Sequence, residues 1–186
     1  PRSTLELCFS KVRVVESFLE ASDSKLTSCL PVSRTFHRDT ALLEGDAVRE
    51  LGMPMWIKGD AIHHKAVRGG VVKKAASLEE ALGTIAGLLN DYEALSAQSH
   101  VSAPVQVGAN FLIDGNEVLA ESMMVSLHDN PHTGGTSGLR RTFRHEAIRD
   151  DALRRLRHRG WRGVAMVEYK WDPATDAFFF IELNPR

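Results

Sequence analysis

The chain is 186 residues long, 43% hydrophobic and 25% charged, with a formal net charge of −1 and a pI near 6.8. That apolar fraction suits one large domain or two small lobes, and the balanced charge argues against nucleic-acid or membrane-surface binding. The two cysteines, Cys8 and Cys29, match no metal or redox spacing, and no apolar run approaches the ~18 residues of a membrane span.

Lys11 to Ala21 (KVRVVESFLEA) reads as the first helix, and Cys29 to Phe36 as a short extended piece whose pairing Pro31 limits. Asp39 to Leu51 reads as a second helix, weakened by Gly45, and MPMWIKG (Met53 to Gly59) as a buried strand. The polar, basic stretch from Asp60 to Gly70 is a loop, and GVVKKAA returns as the second strand of a hairpin. Ser77 opens the clearest helix, because Ser77 and Glu80 form a capping box ahead of an apolar stripe.

Strands then dominate. They are expected over Ala97 to Val101, Val105 to Ile113 and Glu117 to Val125, with DGN turning between the last two. The segment HDNPHTGGTSG is read as a loop, His145 to Arg159 as a basic helix stopped by Gly160, and Gly163 to Trp171 and Ala177 to Asn184 as a final hairpin. This order predicts an α+β fold of two lobes that change over near Ala97, with a cleft between them as the favoured ligand site. Pro1 at the start and a strand-like run at the end fit a piece of a longer protein, and without a signal peptide the default compartment is cytoplasmic.

The terminal hairpin carries the most specific chemistry. Centred on Thr175, it sets Glu168 opposite Glu182 and Met166 opposite Asn184, with Phe178 and Phe180 on the same face as Glu182. Two directly opposed carboxylates repel unless a cation lies between them, and oxygen donors of this kind suit Mg²⁺ or Mn²⁺. Arg186, next on that face, is placed to reach a phosphate on the same cation. The competing reading is a solvated face with scattered charges.

Lys58 ends an apolar strand, where a phosphate would neutralise it, and Lys65, Arg68, Gly69 and Gly70 follow in a loop suited to a polyphosphate. A generic basic loop explains the latter equally well, and no Walker A pattern is present. PHTGGTSGLRR offers a second anion-friendly loop through His132, Thr133, Gly134, Gly135 and Arg140, with an ordinary flexible turn as its competitor. Neither the His63–His64 pair nor the His128–His132 pair has the geometry of joint zinc ligands.

Together these motifs resemble the ATP-grasp superfamily. GVAMVEYK…FFFIELNPR is similar to its closing E-x-N-P-R signature, MPMWIKG to its phosphate-lysine strand, SKVRVVESFLEA to its opening helix, and PHTGGTS to its glycine loop. The resemblance implies an ATP-grasp fold with an N-terminal helix and linker over 1–30, a small lobe over 31–96 and a large lobe over 97–186. It implies Mg²⁺ on Glu168, Glu182 and Asn184, ATP phosphates on Lys11 and Lys58, Arg186 assisting the transferred phosphoryl group, and Gln98 near the adenine. Ser99 stands where the family usually has a glutamate, and the loop from Lys65 to Val71 is less glycine-rich than in typical members.

The expected function is an ATP- and Mg²⁺-dependent ligase that activates a small carboxylate as an acyl phosphate for an amine or similar nucleophile. The alternatives are a non-catalytic nucleotide-binding or assembly module and a structural domain without a ligand. A homodimer formed through an open strand edge is a further expectation.

Overall fold

The computed structural model describes residues 9–21, 23–27, 29–39, 45–60, 62, 70–130 and 136–185. These fall into two compact units. One takes its described residues from 6–20 and 31–101, the other from 21–30 and 102–186. No described helix is long and apolar enough to cross a membrane.

The first unit contains α1 (Lys11–Leu19), β1 (Ser33–His37), α3 (Gly45–Glu50), β2 (Met55–Gly59), β3 (Val71–Ala75), α4 (Leu78–Leu88) and β4 (Ala94–Ser99), α2 belonging to the second unit. Its strands form an antiparallel sheet in the order β1-β4-β2-β3. Phe36, Met55, Ile57, Leu95 and Ala97 from the strands bury against Val48 of α3, Leu51 just after it, and Ala81 and Ile85 of α4. Outside that cluster, α1 packs on β2 and β4 and buries Val12, Val14, Val15 and Phe18. Ser77 caps α4 as its sequence predicts: Glu80 N donates to Ser77 Oγ, and Glu80 Oε2 accepts from Ala76 N.

One expectation fails here. The strand predicted over 97–101 to open the second sheet is instead β4, which starts at Ala94 and lies between β1 and β2. Five of its six residues are buried, so it is an interior strand, and its run of small and polar residues gave no period to mark it.

Gly59 ends β2 under the ring of Tyr92. A Cβ there would come 2.7 Å from Tyr92 Cε1, and Tyr92 is itself buried. We expect Gly59→Ala to destabilise the unit by about 1–3 kcal/mol through overpacking. Denaturant titration checks this, and an unchanged midpoint would contradict it.

The second unit contains α2 (Ser24–Thr27), β5 (Val105–Asp114), β6 (Glu117–Asn130), β7 (Thr136–Thr142), α5 (Glu146–His158), β8 (Gly163–Trp171) and β9 (Phe178–Pro185). Its five strands are antiparallel in the order β7-β6-β5-β8-β9. Along β5, Val107, Ala109, Phe111 and Ile113 are buried, and Gln106, Gly108 and Asn110 alternate with them on the other face. Helix α5 packs on β5, and α2 packs on α5. Arg149 on α5 also pairs with Glu121 on β6 at 2.7 Å, and this hydrogen-bonded guanidinium lowers the Glu121 carboxyl below its usual pKa. The segment read as a loop through Gly138 is, from Thr136 onward, strand β7 paired to β6. Its threonines, serine, glycine and arginines mimic a loop because the strand lies at the sheet edge, where no second neighbour demands apolar side chains.

Candidate functional site

The terminal hairpin is pinned at its turn. Asp172 accepts from Ala174 N and from Thr175 Oγ1, and Asp172 N donates to Ala177 O. Asp176 takes φ 59°, a conformation that aspartate tolerates, and its Oδ1 accepts from Trp171 Nε1 and meets His145 Nε2 at 2.7 Å.

From this turn the register runs Trp171 with Phe178, Lys170 with Phe179 and Tyr169 with Phe180. It then shifts, leaving Ile181 as an extra residue, and continues with Glu168 opposite Glu182 and Met166 opposite Asn184. The shift corrects one expectation. Phe178 and Phe180 do not share the face of Glu182, because they pair on the side of Trp171 and Tyr169, where both rings contact Tyr169. Without the extra residue, Glu182 would lie beside Val167 and face the core. The bulge keeps the aromatic anchors on the α5 side and turns Glu182 and Asn184 to the other.

On that other face, Asn184 Nδ2 donates to Glu182 Oε1 at 2.7 Å and to Glu168 Oε1 at 3.4 Å. Gln106 Nε2 donates to the second oxygen of Glu168 at 3.0 Å. Two amides therefore supply the positive ends that two opposed carboxylates need. A half-turn of the Asn184 amide would present its oxygen in place of its nitrogen, giving three oxygen donors. That donor set fits a hard divalent cation, which prefers oxygen and retains waters. Among the described residues no group of three or more His, Cys, Asp or Glu side chains is placed to hold a metal; here the acidic side chains number two, with the Asn184 amide bonded to both.

Beside Glu168 lies a small cavity lined by Gln106, Gly108, Met124, Ser126, Arg140 and Met166, among others. Gly108 pairs with Glu168 on one side and Met124 on the other, so a missing side chain sits mid-strand beside the carboxylates. A Cβ at Gly108 would meet nothing nearer than Met166 Sδ at 3.5 Å, so the glycine leaves room beside the carboxylates. Arg140, expected on a loop, reaches this cavity from strand β7, its Nη1 lying 3.2 Å from Met124 Sδ.

In the other unit, Lys58 and Gln98 are joined directly. Lys58 Nζ donates to Gln98 Oε1 at 2.8 Å, and Gln98 Nε2 donates to Ser33 Oγ at 3.2 Å. Gln98 is only 3% exposed, so it holds Lys58 from within the sheet. Trp56, two residues before Lys58, donates through Nε1 to His100 Nδ1, and Lys74 Nζ lies 5.7 Å from its ring centroid. Lys11 is the first residue of α1. Gly70 sits against β2, where a Cβ would come 3.0 Å from Gly59 O, so its bareness serves strand approach as well as any ligand.

Lys65, Arg68, Gly69, His132, Thr133, Gly134, Gly135 and Arg186 lie outside the described residues. Sequence reasoning missed Gln106, Gly108, Met124, Met166 and Ser126 around the carboxylates. Gly108, inside an alternating run, was the one visible signal. The others needed the β5–β8 and β5–β6 pairings.

No protein-family model matches the sequence, and no curated protein matches it. Solved structures do match. D-alanine–D-alanine ligase from Bacillus anthracis, complexed with ATP, aligns with a TM-score of 0.69 at 11% identity, over 96% of this chain and 53% of that one. The VanG D-Ala:D-Ser ligase from Enterococcus faecalis aligns with a TM-score of 0.65 at 18% identity, over 96% and 52%. N5-carboxyaminoimidazole synthase from Aspergillus clavatus, in complex with ADP and 5-aminoimidazole ribonucleotide, aligns with a TM-score of 0.64 at 15% identity, over 97% and 45%. These neighbours are ATP-grasp enzymes, and the chain has the ATP-grasp fold, an α+β architecture. It spans about half the length of each of these three structures.

Proposed function

We propose that the chain is the nucleotide-binding part of an ATP- and Mg²⁺-dependent ligase that activates a carboxylate as an acyl phosphate for an amine or similar nucleophile. The observation that carries this reading is the register pair Glu168–Glu182 with Asn184 beside it, on the sheet of an ATP-grasp fold. Glu168, Glu182 and Asn184 would hold Mg²⁺, which when bound neutralises phosphate charge as the γ-phosphoryl group moves.

The remaining roles belong to the chain's own side chains. Lys58, steadied by Gln98, offers its ammonium to phosphate oxygens, and the same role is proposed for Lys11, Lys65, Arg68 and the backbone N–H groups of Gly69 and Gly70. In this reading Gln98 lies near the adenine, with its own amide already engaged by Lys58 and Ser33. Arg140 balances the carboxylate substrate or the phosphoryl oxygens beside Glu168, and the proposed roles of Arg186 and of His132, Thr133, Gly134 and Gly135 are to assist the transferred phosphoryl group and to hold substrate or phosphate. The substrate carboxylate oxygen attacks the γ-phosphorus and ADP leaves. The amine then attacks the acyl carbon and inorganic phosphate leaves. No protein nucleophile is required.

Thermal unfolding with and without Mg-ATP is the first test. Ligand at 100 times its Kd should add about 2.7 kcal/mol and raise the midpoint. ADP release measured over a panel of carboxylates and amines then separates a ligase from a module that only binds. No shift with Mg-ATP would refute the nucleotide site, and a shift without ADP release in the intact protein would refute the ligase.

A further inference from the structure

Asp60 is 2% exposed and stands two residues beyond Lys58. Its Oδ2 accepts from Ser10 Oγ at 2.9 Å and from Val12 N at 3.4 Å, and its Oδ1 accepts from Ile62 N at 3.1 Å. One buried carboxylate therefore ties together the end of β2, the first turn of α1 and the start of the basic segment that follows Asp60. Lys58 rides on the first of these and Lys11 on the second.

Capping alone does not account for this arrangement. Ser10 already caps α1 by accepting from Arg13 N at 3.1 Å. Withdrawing a carboxylate from water is costly unless its partners compensate. A neutral polar residue would close an ordinary turn at lower cost. The carboxylate adds a cross-link between two elements distant in sequence, each carrying one of the lysines. The strand end it grips is also immobilised by neighbours, because Tyr92 covers Gly59 and Gly70 abuts the Gly59 carbonyl.

We propose that Asp60 is a positioning residue for polyphosphate recognition, setting the separation of Lys11 and Lys58 through the Ser10–Asp60 link. This rests on the reading of those lysines as phosphate ligands. The function follows from chemistry. A flexible ammonium binds a polyphosphate well only when its stem is held, since the ordering cost is then already met.

The test compares ATP with adenosine by titration calorimetry on the full chain and on Asp60→Asn, Ser10→Ala, Lys11→Ala and the Asp60→Asn/Lys11→Ala double variant. Wild type should prefer ATP. Asp60→Asn should weaken ATP by about tenfold while adenosine affinity holds, and the double variant should lose little more than Lys11→Ala alone. Ser10→Ala, which removes one hydroxyl, should show the same selective loss in smaller measure and serves if Asp60→Asn does not fold. Equal weakening of ATP and adenosine, full additivity with Lys11→Ala, or unchanged ATP affinity would overturn the proposal alone. A wild-type chain with no preference for ATP over adenosine would overturn the phosphate reading, and this proposal with it.

Discussion

Arg155→Ala should cost the second unit about 3–5 kcal/mol of stability, the range for removing one partner of a buried ion pair. Arg155 is fully buried, and Asp151, one turn earlier on α5, is 2% exposed. Arg155 Nε donates to Asp151 Oδ2 at 2.7 Å, Nη2 donates to Asp151 Oδ1 at 3.3 Å, and Nη1 donates to Leu26 O at 2.9 Å. The guanidinium also stacks 4.7 Å from the centroid of Phe180. Alanine would leave Asp151 buried with the Tyr169 hydroxyl at 2.7 Å and the more exposed Arg154 at 3.5 Å as its partners. It would also strip the Leu26 carbonyl of a donor. Burial already pushes the Tyr169 hydroxyl well above its usual pKa, with Asp151 adding to the rise and Arg155 opposing it. Losing Arg155 therefore pushes Tyr169 further up and keeps it a donor. Replacing Asp151 and Arg155 together by apolar residues of similar size should lose much less than Arg155→Ala, because no charge is then left unpaired. Denaturant unfolding measures both. A loss below about 1 kcal/mol for Arg155→Ala would mean that water or Arg154 reaches Asp151 freely.

The same residues explain why the site is placed where it is. Tyr169 and Glu168 are neighbours on β8, so they point to opposite faces. Tyr169, Phe178 and Phe180 form the aromatic layer on the α5 side, and Arg155 locks that layer to α5. Glu168 is thus presented on the opposite face by a strand whose back is fixed. β9 achieves the same through the extra residue at Ile181, since its aromatic half serves the core and its polar half serves the candidate metal centre.

How legible this was in the sequence depends on which interactions set each element. The alternation of β5 and the cap of α4 are local, and both were readable. The pairing of Glu168 with Glu182 was predicted from a single register centred on Thr175, and the observed pair is that one, but the route differs. The turn sets a register one residue away, and Ile181 restores it. A bulge leaves no mark in a run such as FFFIEL, where each residue suits a strand, so the faces of Phe178 and Phe180 were misassigned. β4 was misplaced for a different reason: its neighbours β1 and β2 lie far away in sequence, and so does α1, which packs on β4 and β2 outside the cluster that holds Leu95 and Ala97. Lys58 is a phosphate candidate from its place at the end of an apolar strand, and Gln98 an adenine candidate only through the family resemblance. Their hydrogen bond could not be foreseen, because it requires the β2–β4 pairing.

Glu182→Gln should act in opposite directions with and without Mg²⁺. In the absence of the cation, Glu182 and Glu168 face each other across β8 and β9, and like charges directly opposite destabilise a strand pair. The Asn184 amide, bonded to both, offsets part of that repulsion. Glutamine keeps the shape and removes one charge, so the variant's unfolding midpoint should stay level or rise in a chelator. With Mg²⁺ and ATP the order should reverse. Loss of an outer-shell partner typically costs about 10–100-fold in metal affinity, and an inner oxygen ligand that also carries charge should cost at least as much. The wild-type chain should therefore gain stability from Mg-ATP that the variant lacks, although the variant starts no less stable. The pair of melting curves distinguishes this from two alternatives. If Glu182 is only a solvated surface charge, the variant will match wild type under both conditions. If it is a structural anchor, the variant will be less stable in both, and the metal assignment falls with either result.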